Sequence, residues 1–262
     1  MLDIITSSLS AYSIIDISIL CLAAFIAGFI DSIAGGGGLI SLPALLFVNV
    51  PVHQALATSK LQSTFGTFNT SYQYIKQGYC SLNDVKYAIL LTLLGAFSGA
   101  LVVFWIDGEI VLYLIPILLG LLFVYFLKGA KGERKLSTAK LGYYSFYSIF
   151  GFGIGFYDGF FGPGTGAIWM ASLLYFMAQD MRSALGHTKV MNATSNFASL
   201  IIFGWLGLIN YPLGLIMAVF QLGGSTLGTK LAIKKGSKII RPLLLTVVFV
   251  SVIKTFYDIY LK

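Results

Sequence analysis

The sequence has 262 residues, of which 57% are hydrophobic and only 10% are charged. Soluble domains average about 25% charged residues, so a chain this apolar cannot cover a soluble globule with polar groups. We therefore predict an all-α polytopic membrane protein whose partner is the lipid bilayer. The formal net charge is +7. The basic residues fall in loops between apolar segments, as in membrane proteins whose orientation is set by positively charged loops. They do not form a nucleic-acid-binding face, so no nucleic-acid partner is expected.

Ten apolar segments follow one another along the chain. The first twenty residues carry no Lys or Arg, whereas a cleavable signal peptide has a basic N-terminal region, so no cleavable signal is expected. The first five segments are Ile14–Ala34, Leu39–Val50, Ala55–Ile75, Val85–Ile106 and Ile110–Leu127. The last five are Leu141–Phe161, Gly166–Ala178, Ala184–Leu208, Tyr211–Ile233 and Ile239–Tyr260. The second and seventh segments are short. About 12 helical residues rise about 18 Å, so neither is expected to cross a core of about 30 Å alone.

The second half of the chain repeats the first. "GFIDSIAGGGGLI" at 28–40 matches "GFYDGFFGPGTGAI" at 155–168, and "ALATSKLQSTFGTFN" at 55–69 matches "ALGHTKVMNATSNFA" at 184–198. We divide the chain into a first transmembrane repeat (1–128), a cytoplasmic linker (129–140) and a second transmembrane repeat (141–262). Such repeats are common in secondary transporters.

Basic and acidic loops predict how the two repeats are oriented. The loop after the third segment, the central linker and the loop after the ninth segment are rich in Lys and Arg and should be cytoplasmic. The acidic loop "DGE" at 107–109 and the N-terminus should lie outside. This alternation gives two inverted repeats of about five helical segments each, with broken or half-length helices at the glycine-rich motifs.

Two equivalent motifs are candidate anion-binding sites. "TSK" supplies Ser59 and Lys60, and "HTK" supplies His187, Thr188 and Lys189. We place both motifs in the first turns of long helices, where unpaired N–H groups and the helix dipole favour an anion. The alternative is that each lysine snorkels to the interface, but two lysines at equivalent positions favour a substrate site.

Uncharged and acidic residues inside the segments provide further candidates. Asn69, Asn192 and Asn196 share the lysine helices and are candidate substrate ligands, although most such residues only join helices. Asp31 and Asp158 precede the glycine runs. Each is either a functional group, as a proton carrier or a cation ligand, or a structural partner for a broken helix end or a lysine, and the sequence leaves both readings open.

The glycine runs predict open backbone inside the membrane. They comprise Gly35, Gly36, Gly37, Gly38, Gly162, Gly164 and Gly166. A nucleotide-binding loop would need a soluble βαβ unit, so we reject that reading. Non-helical backbone at this depth is tolerated only in a protein interior or beside a cavity. The two cysteines, Cys21 and Cys80, have no metal-ligand spacing, and no cofactor is expected.

Several of these motifs together resemble the sulfite exporter TauE/SafE family, also called TSUP, and its YfcA-type branch in particular. The motifs are "AGFIDSIAGGGGLISLPAL", "ALATSKLQ", "GFYDGFFGPGTG", "NATSN" and "KGSKIIRP". The resemblance covers about residues 20 to 255. It implies a multi-pass permease of the bacterial inner membrane that moves small sulfur-containing or organic anions. It does not fix the substrate.

The leading functional prediction is a secondary anion transporter that works by alternating access. Coupling to protons is left open, with Asp31 and Asp158 as the groups that would carry it. An anion channel and a non-transporting membrane scaffold are the alternatives. No nucleophile lies beside a base in the pattern, so an enzyme is not expected. The oligomeric state stays open, with a homodimer as one option.

Overall fold

The computed structural model of the chain describes residues 12–129 and 139–235, and every regular element in these ranges is helical. The first half contains α1 (Ile14–Ala34), α2 (Gly38–Phe47), α3 (Val52–Lys76), α4 (Leu82–Trp105) and α5 (Gly108–Gly129). The second half contains α6 (Tyr143–Phe146), a π-helical turn (Tyr147–Gly151), α7 (Phe152–Phe160), α8 (Thr165–Phe176), α9 (Met181–Trp205) and α10 (Tyr211–Lys235). The predicted tenth segment and most of the central linker lie outside the described residues.

Local sequence explains where the helices begin and end. Ser13 and Asp16 form a capping box that satisfies two backbone N–H groups at the start of α1. Gly35 ends α1 in the left-handed conformation, with φ of 74°, which glycine adopts without steric cost. Asp180 caps α9 by accepting hydrogen bonds from the backbone of Arg182 and Ser183.

The two short helices, α2 and α8, have 10 and 12 residues. The predicted half-length segments after the glycine runs are therefore confirmed. Helix α2 follows a glycine-rich turn after α1, and α8 follows one after α7. Each short helix is too short to cross a bilayer on its own.

Contacts between helices repeat from one half to the other. The first helix of the first half, α1, packs along α10, while α4 packs along α7 of the second half. Glycines permit both contacts: Gly224 lies against the Phe25 carbonyl, and Gly95 against that of Phe152. The two long polar helices, α3 and α9, pack against each other at the centre. Each half is thus completed by helices of the other.

The outer surface is apolar. Three helices in the described ranges are long and apolar enough to cross a membrane: Ile14–Ile33, Leu82–Trp105 and Tyr211–Lys234. Helices α3 and α9 are as long but carry many buried Ser, Thr, Asn and Lys side chains. Large side chains such as Leu22 and Val219 are more than half exposed, which suits contact with lipid.

Candidate functional site

A polar cavity lies where two glycine-rich turns meet the central helices α3 and α9. One turn joins α1 to α2 and the other joins α7 to α8, and we call them the glycine breaks. The empty space in the cavity is about 400 Å³ when open solvent at its mouth is counted, and the room for the centres of water-sized molecules is about 30 Å³. Its lining comes from both halves of the chain. The polar side chains that line it are Asp31, Ser59, Lys60, Ser63, Asp158, Thr165, Asn192 and Asn196. The cavity is therefore formed by residues that are far apart in sequence, and some of them, such as Asp31 and Asp158, are equivalent between the repeats.

Lys60 lies on the wall of the cavity and is only 5% exposed. Its Nζ donates to Asp158 Oδ1 at 2.5 Å and to Asn196 Oδ1 at 3.2 Å. Ser195 donates its hydroxyl hydrogen to the other oxygen of Asp158. A buried ion pair needs such additional hydrogen bonds to offset the cost of removing both charges from water.

Lys189 makes the equivalent pair across the molecule but in a different way. Its ammonium donates to the backbone carbonyl of Asp31, and its Nζ lies 3.7 Å from Asp31 Oδ2. The other carboxylate oxygen of Asp31 accepts from the backbone N–H of Gly37 at 3.3 Å. Lys189 is completely buried and is not among the residues that line the cavity. Its charge holds the end of α1 in place.

The glycine breaks of the two halves touch each other at the cavity. A Cβ atom on Gly35 would fall 2.5 Å from the carbonyl carbon of Gly166, so neither position tolerates a side chain. Gly162 has φ of 94°, and a Cβ there would lie 2.7 Å from Lys60 Nζ. Of the other glycines proposed from sequence, Gly38 lines the cavity, and Gly36, Gly37 and Gly164 form the turns that start α2 and α8.

The predicted placement of the two lysines in the first turns of their helices is wrong. Helix α3 begins at Val52 and α9 at Met181, so Lys60 and Lys189 lie more than two turns inside them. The helix dipole acts mainly within the first turn, so it contributes little there. The helix N-termini that do reach the cavity belong to the short helices, through Gly38 of α2 and Thr165 of α8.

Besides Lys189, three residues proposed for the site from sequence do not line the cavity. Asn69 donates to Ser225 and Thr226 on α10, at 2.9 Å each. The ring of His187 is hydrogen-bonded through Nδ1 to Tyr147 and Gln179. Thr188 is buried at 1% exposure behind the cavity wall.

The remaining candidates from sequence, Ser59, Lys60, Asn192, Asn196, Asp31 and Asp158, are brought together. Ser63, Thr165 and Ser195 complete the site and were not among the predicted ligands. Ser63 is equivalent to Asn192 in the repeat and could have been found from it. The role of Ser195 depends on the crossing of α7 and α9, which no local motif reports.

The buried charges balance. Two lysines and two aspartates surround the glycine breaks, each lysine facing an aspartate of the other half. An anion in the cavity would have to take Lys60 from Asp158, because only a freed ammonium offers an uncompensated positive charge. Serine, threonine and asparagine donors would then complete its shell.

The family follows from comparison with known proteins. The sequence profile of the sulfite exporter TauE/SafE family matches residues 20–255 of the chain. The chain belongs to the sulfite exporter TauE/SafE family.

Relatives in this family are named as membrane transporters. "Probable membrane transporter protein YfcA" of Escherichia coli (strain K12) is 37% identical over 253 residues, which cover 96% of this chain and 94% of the relative. A probable membrane transporter protein of Haemophilus influenzae is 36% identical, with coverage of 92% and 95%. No solved structure matches the chain significantly. This TauE/SafE member is a multi-pass bacterial membrane protein of a transporter family.

Proposed function

We propose that this protein is a secondary transporter that moves small anions across the bacterial inner membrane by alternating access. The observation that carries the proposal is Lys60 on the wall of a polar cavity, held by an aspartate of the other half of the chain. A buried ammonium with nearby hydroxyl and amide donors is a suitable ligand set for a small oxyanion.

Charge balance supports coupling to protons. With both aspartates ionised, the four buried charges sum to zero, so a bound anion would leave a net negative charge in a low-dielectric site. A proton on Asp158 removes this cost and releases Lys60 to the anion. The anion and about one proton would therefore bind together, and each would strengthen the binding of the other.

The exchanged contacts between the halves support alternating access. Helices α1 and α4 each pack on a helix of the opposite half, and the glycine breaks meet between them. In our proposal the halves are inverted in the membrane, and rocking one set of helices against the other exposes the site to each side in turn.

The substrate class is a small anion with several acceptor oxygens. The family description names sulfite, and the Ser, Thr and Asn donors of the cavity suit oxygens of this kind. Sulfite and small organic sulfonates and carboxylates are the anions to test first.

The test is binding and uptake of that panel by the purified protein. A bound anion raises the melting temperature by mass action, and uptake into liposomes then identifies transported anions. We expect at least one anion to do both, and Lys60→Ala to abolish both effects, while Lys76→Ala, at an exposed helix end, leaves them unchanged. Equal uptake of every anion by wild type and Lys60→Ala would overturn the proposal. Resolved unitary currents in planar bilayers would point to a channel instead.

A further inference from the structure

A hydrogen-bonded pair of serines in the first half corresponds, in the sequence repeat, to two polar residues of the second half that have no hydrogen-bond partner among the described residues. Ser41 is equivalent to Trp169, and Ser59 to Thr188, by the alignment of the two halves. Ser41 and Ser59 are hydrogen-bonded at 3.1 Å, and Ser59 reaches the cavity. In contrast, neither Trp169 Nε1 nor Thr188 Oγ1 has a hydrogen-bond partner among the described residues.

These unpaired groups lie deep in the protein. Trp169 is 0% exposed and Thr188 is 1% exposed. A buried donor without a partner carries its full desolvation cost, so native proteins rarely keep one unless a ligand, an ion or water satisfies it in some state. Trp169 and Thr188 stand at the positions that correspond to the hydrogen-bonded Ser41 and Ser59, so a polar partner for both groups is expected in some state of the protein.

A positive charge and a third unpaired group accompany them. Lys189 follows Thr188 on α9 and is fully buried on the carbonyl of Asp31. One turn further along, Asn192 lines the cavity and keeps its Oδ1 without a partner in the described ranges. Asn192 therefore borders the cavity about one helical turn from Lys189.

The packing of α8 on α9 keeps this region closed. Trp169 packs in a core cluster with Val190 and Met191, which flank Lys189 and Asn192 on α9. Its ring also lies 6.2 Å from that of Tyr147, in the π-helical turn. Such turns are common at functional sites and allow a helix to shift locally.

We infer that Trp169 Nε1, Thr188 Oγ1 and Lys189 Nζ form a second anion subsite, closed in this structure, that receives the anion from the Lys60 cavity. The inference rests on the proposed function, because the ligand is the same small oxyanion. In the state shown here the anion binds beside Lys60 while Lys189 holds the end of α1. In the opposite state Lys189 leaves the Asp31 carbonyl and binds the anion together with the indole N–H and the threonine hydroxyl.

Two conservative variants test the subsite without emptying the core. Trp169→Phe removes the indole N–H but keeps an aromatic ring, and Thr188→Val replaces the hydroxyl group by a methyl group. The probe is the panel anion with the fastest Lys60-dependent uptake. We expect each variant to bind it as wild type does in the thermal-shift assay but to transport it at least about tenfold more slowly at saturating anion, because one hydrogen bond to a charged ligand is lost.

Matched controls make the same chemical changes elsewhere. Trp205→Phe alters an indole that is 78% exposed, and Thr194→Val removes a hydroxyl on α9 that only bonds the Val190 carbonyl. Both should transport within about twofold of wild type, as expected for changes away from a ligand.

The outcomes separate this inference from the proposed function. Wild-type uptake rates in both Trp169→Phe and Thr188→Val would overturn the second subsite while leaving the Lys60 site intact. Equal losses of binding and uptake would also overturn it, because the groups would then belong to the open cavity. If no panel anion shows Lys60-dependent uptake, the proposed function itself fails, and the second subsite with it.

Discussion

The two lysine-bearing helices share a sequence pattern but differ in what their lysines contact. On α3, Lys60 faces a cavity and pairs with a carboxylate at 2.5 Å. On α9, Lys189 is sealed in the protein and holds a backbone carbonyl, with the carboxylate 3.7 Å away. Under the alternating access proposed above, one side of the site is open while the other is closed, and the difference between the two lysines would mark one state of that cycle.

The largest effect that would sharpen this comparison is the loss of Lys60. We expect Lys60→Ala to abolish anion binding and transport, and to destabilise the protein by about 3–5 kcal/mol because Asp158 is left buried without a partner. Lys189→Ala should also abolish transport but keep anion-induced thermal stabilisation, since Lys189 does not line the cavity. Melting curves with and without anion measure both. Identical binding defects in the two variants would show that the lysines belong to one site.

The next largest expected effect comes from disturbing the contact between Gly35 and Gly166, and it concerns stability and transport. Gly35→Ala places a Cβ against Gly166 in a backbone with φ of 74°, so we expect a loss of about 2–4 kcal/mol in stability and no transport. The matched control is Gly153→Ala on α7, where a Cβ meets nothing within 4 Å. That change should be neutral or stabilise by up to about 1 kcal/mol. Similar melting temperatures for the two variants would contradict the close contact.

The two aspartates should differ in how they set the pH dependence of binding. In wild type, anion affinity should rise as pH falls, by up to about tenfold per pH unit, because protonation of Asp158 frees Lys60. Asp158→Asn mimics the protonated state, so affinity should become independent of pH. Asp31→Asn should leave most of the pH dependence, since its lysine is held by a carbonyl. Titrations from about pH 5 to about pH 8 decide between these outcomes. A steep pH dependence retained in Asp158→Asn would refute this role.

The smallest effect concerns the asparagines. Asn196 bonds Lys60 at 3.2 Å on the cavity wall, whereas Asn69 bonds Ser225 and Thr226 between helices. Asn196→Ala should weaken anion binding by about three- to tenfold. Asn69→Ala should change the affinity by less than about twofold, with any loss appearing in stability instead. Anion titrations of both variants provide the comparison, and a larger affinity loss for Asn69→Ala would reverse it.

Much of the helical framework was predictable because it depends on local chemistry. Apolar runs bounded by turn residues placed the described helices within a few residues of their positions, and α1 has the predicted bounds, Ile14–Ala34. The half-length helices followed from the glycines before them. Internal repetition also identified Asp31 and Asp158 as one pair of equivalent positions, and Lys60 and Lys189 as another, since the alignment needs only the sequence.

The errors came from long-range packing. The starts of α3 and α9 were predicted about three residues too late, because the polar residues before Ala55 and Ala184 lack the apolar pattern of a membrane helix. As a result, the two lysines were assigned to the first turns of these helices. Sequence also could not report that each lysine reaches an aspartate of the other half. Asn69 and His187 share helices with the lysines but face other neighbours, a difference set by the helix crossing.

The central claim is that an anion takes Lys60 from Asp158 while Asp158 takes a proton. Proton uptake during anion binding tests it most directly, measured with a pH dye on the purified protein in weakly buffered detergent solution. We predict uptake of about one proton per anion bound in wild type and none in Asp158→Asn. Tight anion binding to wild type with no change in bound protons would contradict the account.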